Sequence, residues 1–320
     1  MKVGAIVLNW RTPDMTLDAV RAAIVALAKV DAPTRLVVVD NDSQDGSEAR
    51  LREAVSVEQA KGTPGWERVE VVQSGRNGGF GAGNNVGIRH LLADDPPEYV
   101  YILNSDAFPE EDAIERLVRT LDTRPRVGIA GSYIFGTDGE PHVTAFRFPT
   151  VQSEIEDSLS LGVVTKLLSR YVVPIGIPDA TREVDWLAGA SMLMRVSMLE
   201  SIGTFDETFF LYFEETDLCR RAARAGWKTV YVKESRVAHV GSASTGMKRW
   251  TRIPGYWLDS RRHYFSKNHG VTYFAAATAV RLVGSSLYEA RRKLQKSKPA
   301  KMPDGFVRDL ARHAFASSRD

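Results

Sequence analysis

The stretch Leu36-Val37-Val38-Val39-Asp40-Asn41-Asp42-Ser43-Gln44-Asp45-Gly46-Ser47 decides how the chain is read. Four apolar residues, three of them β-branched, run without alternation, the pattern of a strand buried on both faces. The run stops at a carboxylate, and a polar turn through Gly46 leads into a helix-like segment over 47–55. The same order of apolar strand, polar strand end and helix recurs on both sides. Strands are expected at 3–8, 36–39, 69–72, 99–103 and 127–134, and further helices at 82–92 and 109–121. Before the second strand, Thr12-Pro13 reads as a helix cap followed by proline at the first helical position. Leu17, Val20, Ile24 and Leu27 then share one face. This alternation predicts an α/β fold, a Rossmann-like and mostly parallel central sheet with right-handed crossovers and helices on both faces. Ligands of such sheets bind beyond the carboxyl ends of the strands.

Further along, 136–183 breaks the pattern and reads as an insertion with one short amphipathic helix, a mobile flap. Regular structure returns at 184–194, followed by a helix at 214–225 and strands at 227–232 and 236–240. Beyond Pro254 the chain reads as helical. The 320 residues suffice for a sizeable core, and 43% hydrophobic with 26% charged residues is ordinary globular composition. Cys219 is the only cysteine, which excludes a disulfide-stapled fold and fits a reducing compartment. Met1-Lys2 runs directly into an apolar strand, so no secretory leader is expected, and no apolar run reaches the length of a spanning helix. A cytoplasmic location follows.

The net charge of +2 hides an asymmetry. Residues 281–320 hold ten Lys/Arg against four Asp/Glu, on a mildly acidic body. Such a tail suits an anionic surface, membrane or nucleic acid, or is a solvated helical face.

The strand ends carry the chemistry. They present Asn9-Trp10-Arg11, the Asp40–Ser47 turn, Arg76-Asn77-Gly78-Gly79-Phe80-Gly81-Ala82-Gly83-Asn84, and Asn104-Ser105-Asp106. The glycine cluster follows the third strand rather than the first, so it is not the dinucleotide fingerprint, and no P-loop signature occurs. It reads either as a helix start that lets backbone approach a nucleotide, with Arg76 for charge, or as tight helix–strand packing. Asp106 can hold Mg²⁺ or Mn²⁺ against a diphosphate, or cap the following helix. Glu214, Glu215 and Asp217 open a helix, where the helix dipole alone favours acids. The aromatic run Phe205–Phe213 before them would form an apolar wall that raises a carboxyl pKa towards the range of a general base. His239, at a strand end, can complete a metal site.

As a set, Val-Val-Val-Asp40-Asn41-x-Ser43-x-Asp45-Gly46-Ser47, Asn77-x-Gly79-Phe80-Gly81-x-Gly83-Asn84 and Leu103-Asn104-x-Asp106 resemble the nucleotide-binding half of glycosyltransferase family 2. Trp186-Leu187-x-Gly189-Ala190, Gly203-x-Phe205-Asp206-Glu207, the run to Glu214, Asp217-Leu218-Cys219-x-Arg221 and His239 resemble its acceptor half. The spacing is most similar to the bacterial rhamnosyltransferase subgroup that builds lipid-linked surface glycans, and the likeness extends to about residue 245. It implies a GT-A fold and inverting, metal-dependent transfer from a dTDP- or UDP-linked sugar, with dTDP-L-rhamnose favoured. It implies a saccharide or lipid-diphosphate-linked acceptor.

By position, the Asn9–Arg11 loop and Asp40 would embrace base and ribose. Arg76, Asn77, Gly79, Gly83, Asn84, Asn104 and Ser105 would line the nucleotide-sugar, and Trp186, Leu187, Gly189 and Ala190 the sugar and acceptor pocket. Asp106 would bind the metal with His239 assisting, and Glu215 would be the base, with Glu214 or Asp217 in reserve. Two departures stand out: Asn104 replaces the first aspartate of the usual Asp-x-Asp, and Glu215 replaces the usual Asp base. A sugar nucleotidyltransferase is disfavoured because its basic glycine-rich signature is absent near the first strand. An idle sugar-nucleotide-binding module is the alternative from another class. The implied organisation is a catalytic domain over 1–250, with a nucleotide half at 1–135, the insertion at 136–183 and an acceptor half at 184–250. A basic helical extension follows at 251–320. In it, Tyr273, Phe274, Val280, Leu282, Val283 and Leu287 precede Arg291, Arg292, Lys293, Lys296, Lys298 and Lys301. That pairing suits peripheral contact with an anionic membrane, or a core helix at 271–287 packed on the catalytic domain, and no nucleic-acid partner is expected.

Overall fold

The computed structural model describes residues 1–241, 250–295 and 302–316. Chain order is β1 (Val3–Asn9), α1 (Pro13–Leu27), β2 (Thr34–Asp40), α2 (Ser47–Ala60), β3 (Val69–Gln73), α3 (Gly79–Ala93) and β4 (Tyr99–Asn104). Then come β5 (Ala107–Pro109), α4 (Ala113–Thr123), β6 (Val127–Phe135), β7 (Ala145–Phe146), α5 (Val151–Leu159) and α6 (Gly162–Leu167). β8 (Arg182–Val184), β9 (Trp186–Leu187), β10 (Ser191–Arg195), α7 (Val196–Ile202), α8 (Glu214–Arg224) and β11 (Lys228–His239) follow. The chain closes with α9 (Gly255–His269), α10 (Val271–Gln295) and α11 (Phe306–Ala316).

The buried apolar runs build one sheet in the order β3-β2-β1-β4-β10-β6-β11-β5, with β8 on β11. β3, β2, β1 and β4 are parallel to their neighbours, as is β11 to β6, while β10 runs antiparallel between β4 and β6. Side chains alternate between two cores. Val3, Ala5 and Val7 face Leu17 and Val20 of α1, Leu51 of α2 and Leu117 of α4. Ile6, Val37 and Val39 face Ile88 and Leu91 of α3, Met198 of α7 and Leu218 of α8. Both faces are therefore covered by helices, as the strand–helix alternation predicts.

Several local expectations change. The β6 run does not join β4, because β10, some sixty residues later in the chain, inserts between them. Residues 107–109 are a strand on β11 rather than a helix start, so α4 opens at Ala113 after Asp112, and Asp106 caps nothing. The two strands expected at 227–240 are one strand whose register shifts between Val232 and Arg236.

The insertion is not a free flap. It holds two helices, and α5 is pinned to the C-terminal helices by Arg261 of α9, which is buried and donates to Glu154 at 2.9 Å and to Thr278 of α10 at 3.1 Å. Arg281 of α10 pairs with Asp157. In α10, Phe274 packs inwards against Phe209, Tyr264 and Phe265, with Tyr273 beside them, and Leu282 packs on the cluster of Leu258, Phe306 and Leu310. Those three apolar residues of the tail serve the fold. Lys296, Lys298 and Lys301 lie outside the described residues.

Candidate active site

A cleft of about 960 Å³ opens at the carboxyl ends of β1, β2 and β4. Trp10, Asn41, Asn77 and Gly79 line one side, and Asn104, Ser105, Asp106 and His239 its floor. Trp186, Gly189, Ala190 and the α8 start with Glu215 line the opposite side.

The β1 and β2 ends are a scaffold. Asn9 is fully buried, and its Nδ2 donates to Asp40 Oδ1 at 2.6 Å while its Oδ1 accepts from Thr16 at 2.7 Å. Asp40 also accepts from the Ser43 hydroxyl at 2.6 Å, the Ser43 amide at 3.1 Å and Gln73 at 3.0 Å. Four donors surround its carboxylate, so Asp40 holds this loop in place. Arg11, at φ 57°, is folded over the Trp10 ring at 5.0 Å and donates to Ser43 O at 3.0 Å.

The glycines act mainly through close packing. Gly79 has φ 88°, and a Cβ there would lie 1.7 Å from Phe210 O. The absent side chain lets the Phe80 amide donate to that carbonyl at 3.1 Å, which brings the aromatic segment up to the cleft. A Cβ on Gly83 would meet Leu8 at 2.6 Å. Asn84 is buried inside α3, where it donates to Phe80 O at 3.0 Å, and Arg76 pairs at the surface with Glu207 at 2.9 Å. Neither lines the cleft, nor does Leu187, which is core against Gly131.

On the floor, His239 Nε2 lies 3.0 Å from Asp106 Oδ1 and 3.4 Å from Asn104 Nδ2, and the Gly241 amide donates to Asp106 Oδ2 at 3.1 Å. Carboxylate, imidazole and carboxamide converge as an oxygen and nitrogen donor set suited to Mg²⁺ or Mn²⁺. Among the described residues no group of three His, Cys, Asp or Glu converges.

The α8 start is strained. Tyr212 and Phe213, at φ 71° and 69°, occupy the left-handed region in succession. This turn points Phe210, Tyr212 and Phe213 into the cleft, where Tyr256 and Trp257 of α9 join them. Phe210 meets Tyr256 at 5.5 Å and Phe213 meets Trp257 at 5.8 Å. The expected boundary at 250 falls inside this packed wall.

Glu214 is 1% exposed and its Oε2 has no partner among the described residues. Burial, then the neighbouring Glu215 charge, pushes its carboxyl well above the ordinary range. Glu215 borders the cleft, is also raised by burial, and accepts from the Gly189 amide at 3.0 Å. The next carbonyl, Ala190 O, accepts from the Asn104 amide at 3.0 Å, so two adjacent peptides tie Glu215 to the floor. Asp217 points elsewhere. It is fully buried and accepts from Arg221 at 2.8 Å, Lys267 at 2.8 Å and Asn268 at 3.0 Å. Burial raises its carboxyl, but these donors outweigh that and hold it below the ordinary range. Asp217 is not a candidate base, because a carboxylate so paired is a poor proton acceptor.

Trp186 stacks on Phe146 at 4.2 Å and donates to Arg147 O at 2.9 Å, which fixes its ring at the cleft rim. The sequence reading missed Asn41, which donates to Asn77 Oδ1 at 3.1 Å and to Gly79 O at 3.2 Å. It also missed His142, whose ring lies 6.2 Å from His239. Asn41 adjoins Asp40 in the motif; His142 sits in the insertion, with no signal around it.

Comparison with known proteins agrees with this architecture. Residues 2–253 match Glycosyltransferase like family 2, and the chain belongs to that family. It is 28% identical over 224 residues to an N-acetylglucosaminyl-diphospho-decaprenol L-rhamnosyltransferase of Mycobacterium tuberculosis, covering 68% of this chain and 69% of the relative. In fold it is similar to the mannosyltransferase PcManGT of Pyrobaculum calidifontis, solved with GDP-Man and Mn²⁺. The TM-score is 0.54 at 15% identity, over 100% of this chain and 87% of that one. It is also similar to TarS of S. aureus, with TM-score 0.53 at 14% identity, over 91% of this chain and 43% of the longer TarS chain. The curled, helix-flanked sheet is the GT-A fold.

Proposed function

We propose that this glycosyltransferase transfers a hexose with inversion from a nucleoside-diphosphate sugar, L-rhamnose from dTDP-L-rhamnose, to a lipid-diphosphate-linked saccharide. It would work at the cytoplasmic face of the membrane in surface-polysaccharide synthesis. The observation that carries the reading is Glu215, a carboxylate with no cationic partner among the described residues, bordering the same cleft as the Asp106–His239 pair. The mycobacterial relative, an N-acetylglucosaminyl-diphospho-decaprenol L-rhamnosyltransferase, supports the sugar and the lipid-linked acceptor.

The nucleotide would lie over Trp10, Asn41 and Asn77, with Gly79 allowing close approach. Asp106, His239 and Asn104 would hold Mg²⁺ or Mn²⁺, which when bound neutralises charge on the departing diphosphate. The acceptor hydroxyl gives its proton to Glu215 as its oxygen attacks the anomeric carbon. The bond from that carbon to the phosphate oxygen breaks on the far face, and the electron pair leaves with the diphosphate. One displacement inverts the configuration. The Gly189 amide orients the base, and the aromatic wall excludes water and keeps Glu215 basic. Burial raises Glu214 further than Glu215, so of the two Glu214 is the first to take a proton and Glu215 the first to be left as the base.

A thermal-shift panel of dTDP- and UDP-sugars with and without Mn²⁺ tests the donor side. A donor at 100 times its Kd stabilises by about 2.7 kcal/mol. The largest shift is expected with dTDP-L-rhamnose and Mn²⁺, and the Mn²⁺ dependence should vanish in Asp106→Ala. Equal wild-type shifts with and without Mn²⁺ would remove the metal from the reading.

A further inference from the structure

Two apolar surfaces remain uncovered where the insertion meets the C-terminal helices. On α10, Ala276, Val280, Val283, Leu287, Ala290 and Leu294 recur at intervals of four and three, one continuous stripe. Val283, Leu287 and Leu294 are 61%, 56% and 85% exposed. The opposite side of α10 packs on α5, where a Cβ on Gly284 would meet Ser158. On α6, which buries no residue, Val163 and Leu167 are 83% and 80% exposed.

The two elements are tied together at one point. Arg291 donates to the Leu159 and Ser160 carbonyls at 2.9 and 3.0 Å, where α5 turns into α6. Leu287 and Leu294 stand one turn to either side of Arg291. Cations border both surfaces: Lys166 and Arg170 beside α6, and Arg291, Arg292 and Lys293 on α10. Of the nearby acids, Asp157 is paired with Arg281 and Glu156 accepts from Thr165, which leaves Glu289. From Arg170 the chain runs through Val173, which lines the cleft.

We propose that α6 and the outer stripe of α10 form one docking surface for an anionic lipid bilayer. Among the described residues no helix is long and apolar enough to cross a membrane, so the contact is peripheral. Exposed aliphatic side chains rimmed by cations match a headgroup layer over acyl chains, in both polarity and charge. A second copy of the chain would complement the apolar stripe but carry the same cations. The surface stands on its own geometry. Its use, presenting a lipid-linked acceptor to the cleft, rests on the proposed transferase reading.

The test is co-sedimentation of the full chain with vesicles of phosphatidylcholine, or phosphatidylcholine with phosphatidylglycerol, without nucleotide or metal. Binding is expected on the anionic vesicles only, weakening as salt rises. Val163→Ser/Leu167→Ser should reduce partitioning about tenfold through lost apolar burial. Lys166→Glu should reduce it about fivefold or more through lost charge attraction. All these positions are exposed, and circular dichroism checks that the variants fold. Equal binding to both vesicle types, wild-type partitioning of the apolar double variant, or a solution dimer dissociated by Leu287→Ser would each overturn the proposal. Donor binding, read by thermal shift in the same variants, fails or survives independently.

Discussion

Within the first turn of α8, the chain places carboxylates in two opposite environments. Glu214 is buried and Glu215 half-buried beside the aromatic segment, neither has a cationic partner among the described residues, and desolvation raises both. Asp217, two residues on, accepts from Arg221, Lys267 and Asn268 and is lowered. Asp206 belongs to the same network, because Lys267 bridges it to Asp217 and His263 adds a 2.8 Å contact; it too is lowered against its own burial. The difference shows that burial alone does not define a carboxylate's role. Partners do. One pair is left basic at a cost in stability, and the other is spent on holding α8 to α9.

The largest effects should separate the two groups cleanly. Glu215→Gln keeps shape and removes the proton acceptor, so turnover should fall about 10²–10³-fold with donor affinity nearly unchanged. Its stability at neutral pH should equal or exceed wild type. A carboxyl whose folded pKa is raised stabilises only while protonated, and that contribution is lost as pH rises through the folded value. Asp217→Asn should do the reverse, costing about 2 kcal/mol, because a partly solvated Lys267 softens the penalty for a broken buried pair. Turnover per folded molecule should remain near wild type. Steady-state kinetics with urea melts on both variants checks the pair. An inactive Asp217→Asn of normal stability would put the base on the wrong side of the helix.

This contrast also marks how far the sequence carries. The strands and their polar ends are legible because β-branched runs stopping at Asn9, Asp40 and Asn104 need only local pattern to be read. The α8 start is legible as acidic, but not which acid faces the cleft. Successive helix positions differ by about 100°, and the choice is made by Lys267 and Asn268, fifty residues away. The same distance problem hides the setting of Asp40, whose carboxylate is held by Asn9 and Gln73. It also hides β10, inserted between strands that look consecutive, and Tyr256 and Trp257, which reach the cleft from the expected tail. Glycines 79 and 83 are visible in the sequence; the carbonyl and leucine they make room for are not.

A second, smaller effect follows from the pKa directions. Glu215 accepts a proton only when ionised, so turnover should fall about tenfold per pH unit below an acid limb that lies above the ordinary glutamate range. Asp206 and Asp217 behave oppositely. Their lowered values give stability that is present above the unfolded carboxylate range and lost only as pH falls through the folded values. Between the two limits the protein should be folded, inactive and fully recoverable on neutralisation. A pH–rate profile measured beside circular dichroism reads both limits. Coincident loss of activity and structure would merge the two groups.

The smallest expected effect tests whether Glu215 is merely present or held. The Gly189 amide donates to Glu215 Oε1 at 3.0 Å, and a Cβ on Gly189 would lie 2.7 Å from that oxygen and 2.8 Å from Phe80 Cζ. Phe80 is braced edge-on by Phe205 at 6.0 Å, so the carboxylate, not the ring, has the freer path away. Gly189→Ala should therefore push Glu215 off its amide and slow turnover about tenfold, since displacements of this size matter at a reacting centre. Donor affinity should stay within about twofold, because the nucleotide side of the cleft is untouched. Glu215's own backbone amide and, after it, the Gly189 amide oppose the raised pKa, so loss of the Gly189 hydrogen bond should move the acid limb to still higher pH. A variant that is slower with an unmoved limb would mean Gly189 acts through packing alone. A moved limb would mean its amide tunes the base.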